Sequence, residues 1–77
     1  MTIEAKIREI ITENVDGIDG SMIKADAKFF DSGLDSLDLA TVLLEVQEEF
    51  DVVIAEGDED KYDTLNSLVA YVSESQA

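Results

Sequence analysis

The sequence predicts an all-α fold: a small bundle of three main helices plus one short helix, with a long first loop. Three segments carry apolar residues at helical spacing, and stretches rich in glycine, aspartate and serine separate them. The 77 residues are enough for one domain, residues 1–77, in the size range where a single core is marginal. The helices must therefore share one core.

The first helix is predicted over residues 2–15. Glu4 lies four residues before Arg8, which makes a favourable surface pair on a helix. The residues expected to face the core share helical spacing: Ile3, Ile7, Ile10 and Ile11.

A long connection follows and runs to Asp35. Gly17 and Gly20, with the aspartates beside them, are typical of a chain leaving a helix. A structureless loop of this length is unusual in a compact domain, so apolar residues should anchor it to the core. The candidates are Met22, Ile23, Phe29, Phe30 and Leu34, and we expect both phenylalanines to be core residues.

The second helix should begin at Asp35 or Ser36 and end near Phe50. Asp35 can accept hydrogen bonds from the free donors of the first turn, and Asp38 adds a charge that suits the helix dipole.

Rotation by about 100° per residue separates the residues of the second helix into three sets. The core set is Leu39, Leu43, Val46 and Phe50. The solvent set, placed roughly opposite, is Asp38, Glu45 and Glu49. A third stripe, placed between them, is Leu37, Thr41, Leu44 and Glu48, either a margin of the core or an exposed contact.

The C-terminal third should hold one short and one long helix. Residues 52–54 are β-branched like a strand, but no second strand is available to pair with them. Residues 55–63 allow a single turn around Glu59 to Tyr62. Thr64 should cap a last helix that frays from Ser73 onward. Its core residues are expected to be Leu65, Leu68, Val69 and Val72.

Composition excludes most catalytic chemistry. The chain has no cysteine and no histidine, so it lacks the usual nitrogen and sulfur metal ligands, a thiol nucleophile and a base for a serine hydrolase. The acidic run from Asp58 does not fit a calcium loop, because Asp63 and Val69 occupy the glycine and closing glutamate positions. No metal site and no catalytic residue are predicted.

The charge balance points to protein partners. Nineteen acidic residues against five basic ones give a net charge of −14, which disfavours nucleic acid and anionic membranes and favours proteins with basic patches. No apolar run reaches membrane-spanning length, and no signal core follows Met1. We expect a complete, cytoplasmic, monomeric protein without stable membrane insertion.

Ser36 is the residue with a candidate chemical role. It lies between two aspartates, after a glycine turn and at the positive end of a helix, where an anionic group is well placed. A plain helix-start residue is the alternative, and it is the usual role of serine at such positions.

Residues 33–37, Gly33-Leu34-Asp35-Ser36-Leu37, resemble the signature of the acyl carrier protein family around its modified serine. Glu48-Glu49-Phe50-Asp51 resembles the sequence that ends the second helix in this family. Ile54, Lys61 and Thr64 also match the family pattern at the corresponding positions. The resemblance covers nearly the whole chain. It implies that Ser36, flanked by Asp35 and Leu37, bears a 4′-phosphopantetheine arm that a phosphopantetheinyl transferase moves from coenzyme A. The arm's thiol would hold acyl groups as thioesters, and the carrier itself would catalyse nothing.

The resemblance also implies a docking surface for acyl-transfer and synthase enzymes with basic patches, in fatty-acid, polyketide or specialised lipid biosynthesis. Asp35 and its acidic neighbours on the second helix would meet the basic patches, and two leucines would add apolar contact. The residues of this surface are Leu37, Asp38, Thr41, Leu44, Glu45 and Glu48. Thr41 departs from the fatty-acid branch of the family, which often has an acid there.

Two alternatives remain open at this point. Phe29-Phe30-Asp31 resembles peptidyl carriers, which would make the chain an aminoacyl or peptidyl carrier of a non-ribosomal pathway. An acidic protein-interaction module without a covalent cofactor would share the charge and the helices.

Overall fold

The computed structural model describes residues 2–55 and 57–76 and has an all-α architecture. The main helices are α1 (Ile3–Asn14), α2 (Ser36–Phe50) and α3 (Leu65–Gln76). Three short 3₁₀ turns lie between them, at Gly20–Met22, Phe29–Ser32 and Glu59–Tyr62. The predicted fold class and the short helix at Glu59 are confirmed; the two turns inside the first loop were not predicted.

Helix α1 begins where the Thr2 hydroxyl accepts a hydrogen bond from the backbone N–H of Ala5, at 3.1 Å. The predicted pair forms, with Arg8 Nε 3.2 Å from Glu4 Oε2. Three of the four expected isoleucines, Ile7, Ile10 and Ile11, are buried.

The core lies between the three helices and is apolar throughout the described residues. Its central side chains have no solvent exposure: Ile7, Ile11, Phe29, Val42, Val46, Leu65, Leu68 and Val72. Val42 was not in the expected core set, and Phe50 is only half-buried. The buried arc of α2 is therefore displaced toward Val42 from the predicted one.

The first connection is held against α1 by Arg8. Its Nη1 donates hydrogen bonds to the carbonyls of Gly20 and Ile23, both at 2.7 Å. Gly20 packs so closely that a Cβ there would lie 2.1 Å from the Arg8 carbonyl oxygen. The Gly20 N–H also donates to the Thr12 hydroxyl at 2.8 Å. The part of the loop that contains Gly20 and Ile23 is therefore packed against α1.

The later part of this connection is held against the start of α3. The Phe29 N–H donates to the Asp63 carbonyl at 2.7 Å, and the Asn66 N–H donates to the Ala25 carbonyl at 2.9 Å. Phe29 is fully buried, which confirms one of the two expected phenylalanine anchors.

Two of the expected anchors are wrong. Met22 is 78% exposed and Phe30 is 46% exposed, whereas Ile23, Phe29 and Leu34 are buried. Consecutive residues of a 3₁₀ turn point about 120° apart, so the turn that buries Phe29 directs Phe30 outward.

The last helix is longer than expected. Ser67 and Thr64 exchange hydrogen bonds, with the Ser67 N–H donating to the Thr64 hydroxyl at 3.1 Å, so the predicted cap is confirmed. The predicted fraying from Ser73 is wrong through Gln76, because Gln76 Nε2 donates to the Phe50 carbonyl at 2.7 Å and ties the end of α3 to the end of α2. Ala77 lies outside the described residues.

Candidate functional site

The turn before α2 requires glycine at position 33. Gly33 has a φ of +102°, a backbone conformation that side chains disfavour. A Cβ there would also lie 2.9 Å from Ile18 Cδ1. The next residue, Leu34, is buried and its N–H donates to the Phe29 carbonyl at 3.2 Å. The buried loop thereby fixes the direction in which α2 begins.

Asp35 and Asp38 form a reciprocal cap at the start of α2. The Asp38 N–H donates to Asp35 Oδ1 at 2.8 Å, and the Asp35 N–H donates to Asp38 Oδ2 at 3.1 Å. This capping box satisfies donors that a helix end would otherwise leave free. The predicted start at Ser36 is confirmed, and both aspartates have a structural role.

Ser36 is the first residue of α2 and is exposed. Within residues 2–55 and 57–76, its hydroxyl makes no hydrogen bond. A phosphodiester at this oxygen would lie outside the helix, at its positive end, and would displace no packed side chain. The position therefore fits a covalent anionic group.

Of the two alternatives left open for the third stripe, the exposed one is confirmed, although the stripe lies opposite the core and not between the core and solvent sets. Its residues form the outermost face of α2: Leu37, Thr41, Leu44 and Glu48. Leu37 is 77% exposed and Leu44 is 54% exposed. Each lies two residues before a core residue, Leu39 or Val46, which is about 200° around the helix at 3.6 residues per turn. The stripe is therefore an exposed face and not a margin of the core.

The three acids expected to face solvent are not on the most exposed side of α2. Asp38 and Glu45 are half-buried, and only Glu49 is exposed. Glu49 faces α1, where its Oε1 lies 3.4 Å from Lys6 Nζ. The contacts with Glu49 and with Glu9 raise the pKa of the Lys6 ammonium above its usual value. Glu45 and Glu49 thus lie on the flank of α2 beside α1.

A groove between α1 and α2 runs along this flank. Glu13 and Asn14 of α1 lie on one side and Glu45, Glu48 and Glu49 on the other. Sequence reasoning did not connect Glu13 with the acids of α2, because the pairing depends on how the two helices pack.

Neither a metal cluster nor a membrane span is present in the part of the chain that the structure describes. No group of three metal-ligating side chains converges there. None of its helices is both long and apolar enough to cross a bilayer.

Comparison with known proteins identifies this arrangement. The family description "Phosphopantetheine attachment site" matches residues 5–72. An acyl carrier protein of Bdellovibrio bacteriovorus is 37% identical over 73 residues, covering 94% of this chain and 92% of the relative. Acyl carrier proteins of Desulforapulum autotrophicum and Akkermansia muciniphila are each 34% identical, over 94% and 97% of this chain and 95% and 94% of their own lengths.

The relatives match the chain over nearly its whole length, and the attachment-site match to this chain includes α2 and most of α1 and α3. Members of this family carry acyl groups on a covalently attached 4′-phosphopantetheine, typically in fatty-acid synthesis, and work with synthase and transferase partners. The chain belongs to the acyl carrier protein family.

Proposed function

We propose that Ser36 is the residue that bears 4′-phosphopantetheine, and that the outer face of α2 presents the loaded arm to partner enzymes. The chain would then serve fatty-acid, polyketide or specialised lipid synthesis as a carrier that contributes no catalytic group. A monomeric state and a cytoplasmic location are further parts of this proposal.

One observation supports Ser36 over the other serines of residues 5–72. Ser21 donates its hydroxyl to Asp19, at 2.7 Å, and Ser32 to the Lys28 carbonyl, at 3.2 Å. Ser67 donates to the Thr64 carbonyl at 2.9 Å. Among the serines of this range, Ser36 alone has an exposed hydroxyl with no partner in the described structure, so a transferase would reach it without breaking a hydrogen bond.

The surrounding residues would orient the arm rather than activate the serine. Asp35 and Asp38 fix the first turn of α2 through their reciprocal bonds, which holds the Ser36 hydroxyl on a rigid element. Leu37 follows on the exposed face. When attached, the arm supplies the thiol on which acyl groups are held as thioesters, a group that a chain without cysteine cannot provide itself.

Intact-mass spectrometry tests the attachment point. The purified chain is incubated with coenzyme A, Mg²⁺ and a phosphopantetheinyl transferase of broad specificity. We expect one arm on the wild-type chain and none on Ser36→Ala. Ser32→Ala is the matched control, since it removes a nearby hydroxyl and should accept the arm like the wild type. An adduct that persists on Ser36→Ala would contradict the proposal.

The partner-docking surface is proposed from exposure and charge. Leu37 and Leu44 are large apolar side chains exposed on one face of α2, and such residues surrounded by charge are typical of interaction sites. Thr41 lies between them, and Asp38, Glu45 and Glu48 surround them. Within the described residues, Glu45 and Glu48 form no ion pair, so both are available to a basic partner.

Charge reversal tests the electrostatic part of docking. Glu48→Lys should lower the rate of arm transfer several-fold in low salt and less in high salt, because mobile ions screen exposed charges. Glu74→Lys makes the same charge change on α3 and should leave the rate nearly unchanged. Asp38 is unsuitable for this test, since its replacement would also break the capping box. Docking on this face would be refuted if both reversals lowered the rate of arm transfer equally. It would also be refuted if the effect of Glu48→Lys did not change with salt.

A further inference from the structure

The chain has two places where an aspartate precedes a glycine, and the fold treats them differently. They are Asp16-Gly17 and Asp19-Gly20, both in the first connection. An aspartyl-glycyl sequence can rearrange without a catalyst, because glycine has no side chain to obstruct its own backbone nitrogen. The contacts that each pair makes therefore decide which of the two can react.

The rearrangement is a loss of water followed by its return. The backbone nitrogen of the glycine bonds to Cγ of the protonated aspartate carboxyl. The hydroxyl of that carboxyl leaves as water, taking the proton of the nitrogen, and a five-membered succinimide remains. Water then adds to a ring carbonyl and opens the ring. When the bond between the nitrogen and the α-carbonyl breaks, the chain continues through Cγ as L-isoaspartate, with no net change in mass.

Asp19 and Gly20 are held at both reacting groups. Asp19 Oδ1 accepts hydrogen bonds from the Ser21 N–H at 2.9 Å and from the Ser21 hydroxyl at 2.7 Å. These contacts, the hydroxyl first, hold the pKa of the Asp19 carboxyl below its usual value, so less of the reactive protonated acid is present. The Gly20 N–H donates to the Thr12 hydroxyl at 2.8 Å, and the buried Gly20 backbone packs against Arg8. The Gly20 nitrogen therefore reaches the carboxyl only after the loop has opened.

Asp16 and Gly17 are exposed and are not held in this way. In the part of the chain that the structure describes, neither the Asp16 carboxyl nor the Gly17 N–H forms a hydrogen bond. A Cβ at Gly17 would meet no described atom within 4 Å beyond its chain neighbours, so a succinimide ring has room there. The turn is closed by a hydrogen bond from the Ile18 N–H to the Val15 carbonyl, whose 3.3 Å length is greater than usual. This turn can therefore deform more easily than the segment around Gly20.

We propose that Asp16-Gly17 is a site of spontaneous isomerisation to L-isoaspartate in the folded chain, and that the fold protects Asp19-Gly20. The product is a substrate for one class of enzyme, the protein L-isoaspartate O-methyltransferases. These enzymes transfer a methyl group from S-adenosylmethionine to the α-carboxylate that the isomerisation exposes. The end of α1 is thus where the carrier changes covalently with age, with or without an arm at Ser36.

The contacts of Asp19 set the expected ratio of the two reactions. Three hydrogen bonds must open before the Gly20 nitrogen can reach the Asp19 carboxyl. Each such bond lowers the open population roughly fivefold, so isoaspartate should form about 100-fold faster at Asp16 than at Asp19 in the folded chain. In the unfolded chain these bonds are absent, and the two rates should be similar.

Peptide mapping after incubation tests the proposal. The chain is kept in mildly acidic buffer at physiological temperature, folded in one sample and unfolded by guanidinium chloride in another. Incubation continues until the unfolded sample has reacted at both sites. Trypsin cleaves after Arg8 and Lys24 and so releases residues 9–24, which contain both pairs. Electron-transfer fragmentation locates the isoaspartate, and uptake of a radiolabelled methyl group from S-adenosylmethionine, catalysed by the methyltransferase, measures its amount.

Two matched variants complete the test. Asp16→Glu cannot close a five-membered ring and should abolish methyl uptake by the folded chain, whereas Asp19→Glu should retain it. Both residues are exposed, so each variant should keep the wild-type fold, which circular dichroism verifies. Equal conversion at Asp16 and Asp19 in the folded chain would overturn the proposal. So would the absence of isoaspartate at Asp16 in the folded chain after the unfolded sample has reacted.

Discussion

The two connections of this protein are built differently. The first, from Val15 to Asp35, is bound to α1 through Arg8 and Gly20 and to the start of α3 through Phe29. The second, from Asp51 to Thr64, buries Val52 and Ile54, but the turn Glu59–Tyr62 within it has no buried residue.

The difference follows from what each connection must position. The first ends in the Gly33 turn that sets the start of α2 and therefore the location of Ser36. The second leads to α3 and is held by side chains near its start: Gln47 Oε1 accepts from the Ile54 N–H at 3.0 Å, and the Tyr71 hydroxyl donates to the Val53 carbonyl. Segments with few buried contacts open more easily, so we expect stability to depend more on the first connection.

The largest expected effect is at Phe29. Phe29→Ala removes a fully buried ring and should lower the free energy of unfolding by about 3–5 kcal/mol. That is most of the stability of a domain this small, so Phe29→Leu is a second, milder variant. Phe30→Ala removes the neighbouring exposed ring and should cost less than about 1 kcal/mol. Urea unfolding followed by circular dichroism measures both. Similar losses at the two positions would mean that Phe29 does not anchor the loop.

Smaller losses of stability are expected when a glycine of each connection is replaced by alanine. Gly20→Ala places a Cβ 2.1 Å from the Arg8 carbonyl oxygen, which forces the loop away from α1 and should cost about 2 kcal/mol. A Cβ at Gly57 would meet no atom within 4 Å among the described residues beyond its chain neighbours, so Gly57→Ala should cost about 1 kcal/mol, from its positive φ alone. Thermal unfolding of the two variants measures the difference. A larger loss at Gly57 would reverse the assignment of the tighter connection.

The smallest expected effect concerns two cations: Arg8 of α1, which binds the first connection, and Lys61 within the second. Arg8→Lys loses the planar guanidinium that reaches two carbonyls at once and should lower stability by about 1 kcal/mol. Lys61→Gln removes an exposed ion pair with Asp58, 3.4 Å long, and should cost about 0.5 kcal/mol or less. Urea midpoints at low and high salt distinguish them, since only the Lys61 effect should be screened. If Lys61→Gln lowered stability as much as Arg8→Lys, the first connection would not be the more tightly held of the two.

Local patterns predicted the helices and the start of α2. The isoleucines of α1 and the pair Asp35 and Asp38 are spaced three or four residues apart. A helix places such residues side by side, so these signals can be recognised without knowledge of the tertiary structure. The all-α class followed from these signals, and so did the placement of Ser36 at the first position of α2.

The faces of α2 were predicted less well. Periodicity gives the angle between Leu37 and Leu39, but the width of the buried arc depends on what packs against the helix. In the structure α2 packs against α1 and contributes to one shared core, so Val42 is buried while Leu37 and Leu44 face outward. In the proposed docking surface the two leucines are consequently exposed, whereas the acids Asp38 and Glu45 are half-buried.

The sequence by itself determined the three helices, the caps at Asp35 and Thr64, the acidic charge and the local setting of Ser36. Each of these depends on residues a few positions apart or on composition. Tertiary structure decided that Phe29 is buried and Phe30 exposed, that Arg8 binds the loop, and that Met22 is exposed while Ile23 is buried. These features depend on residues far apart in the chain, whose contacts exist only after the helices have packed.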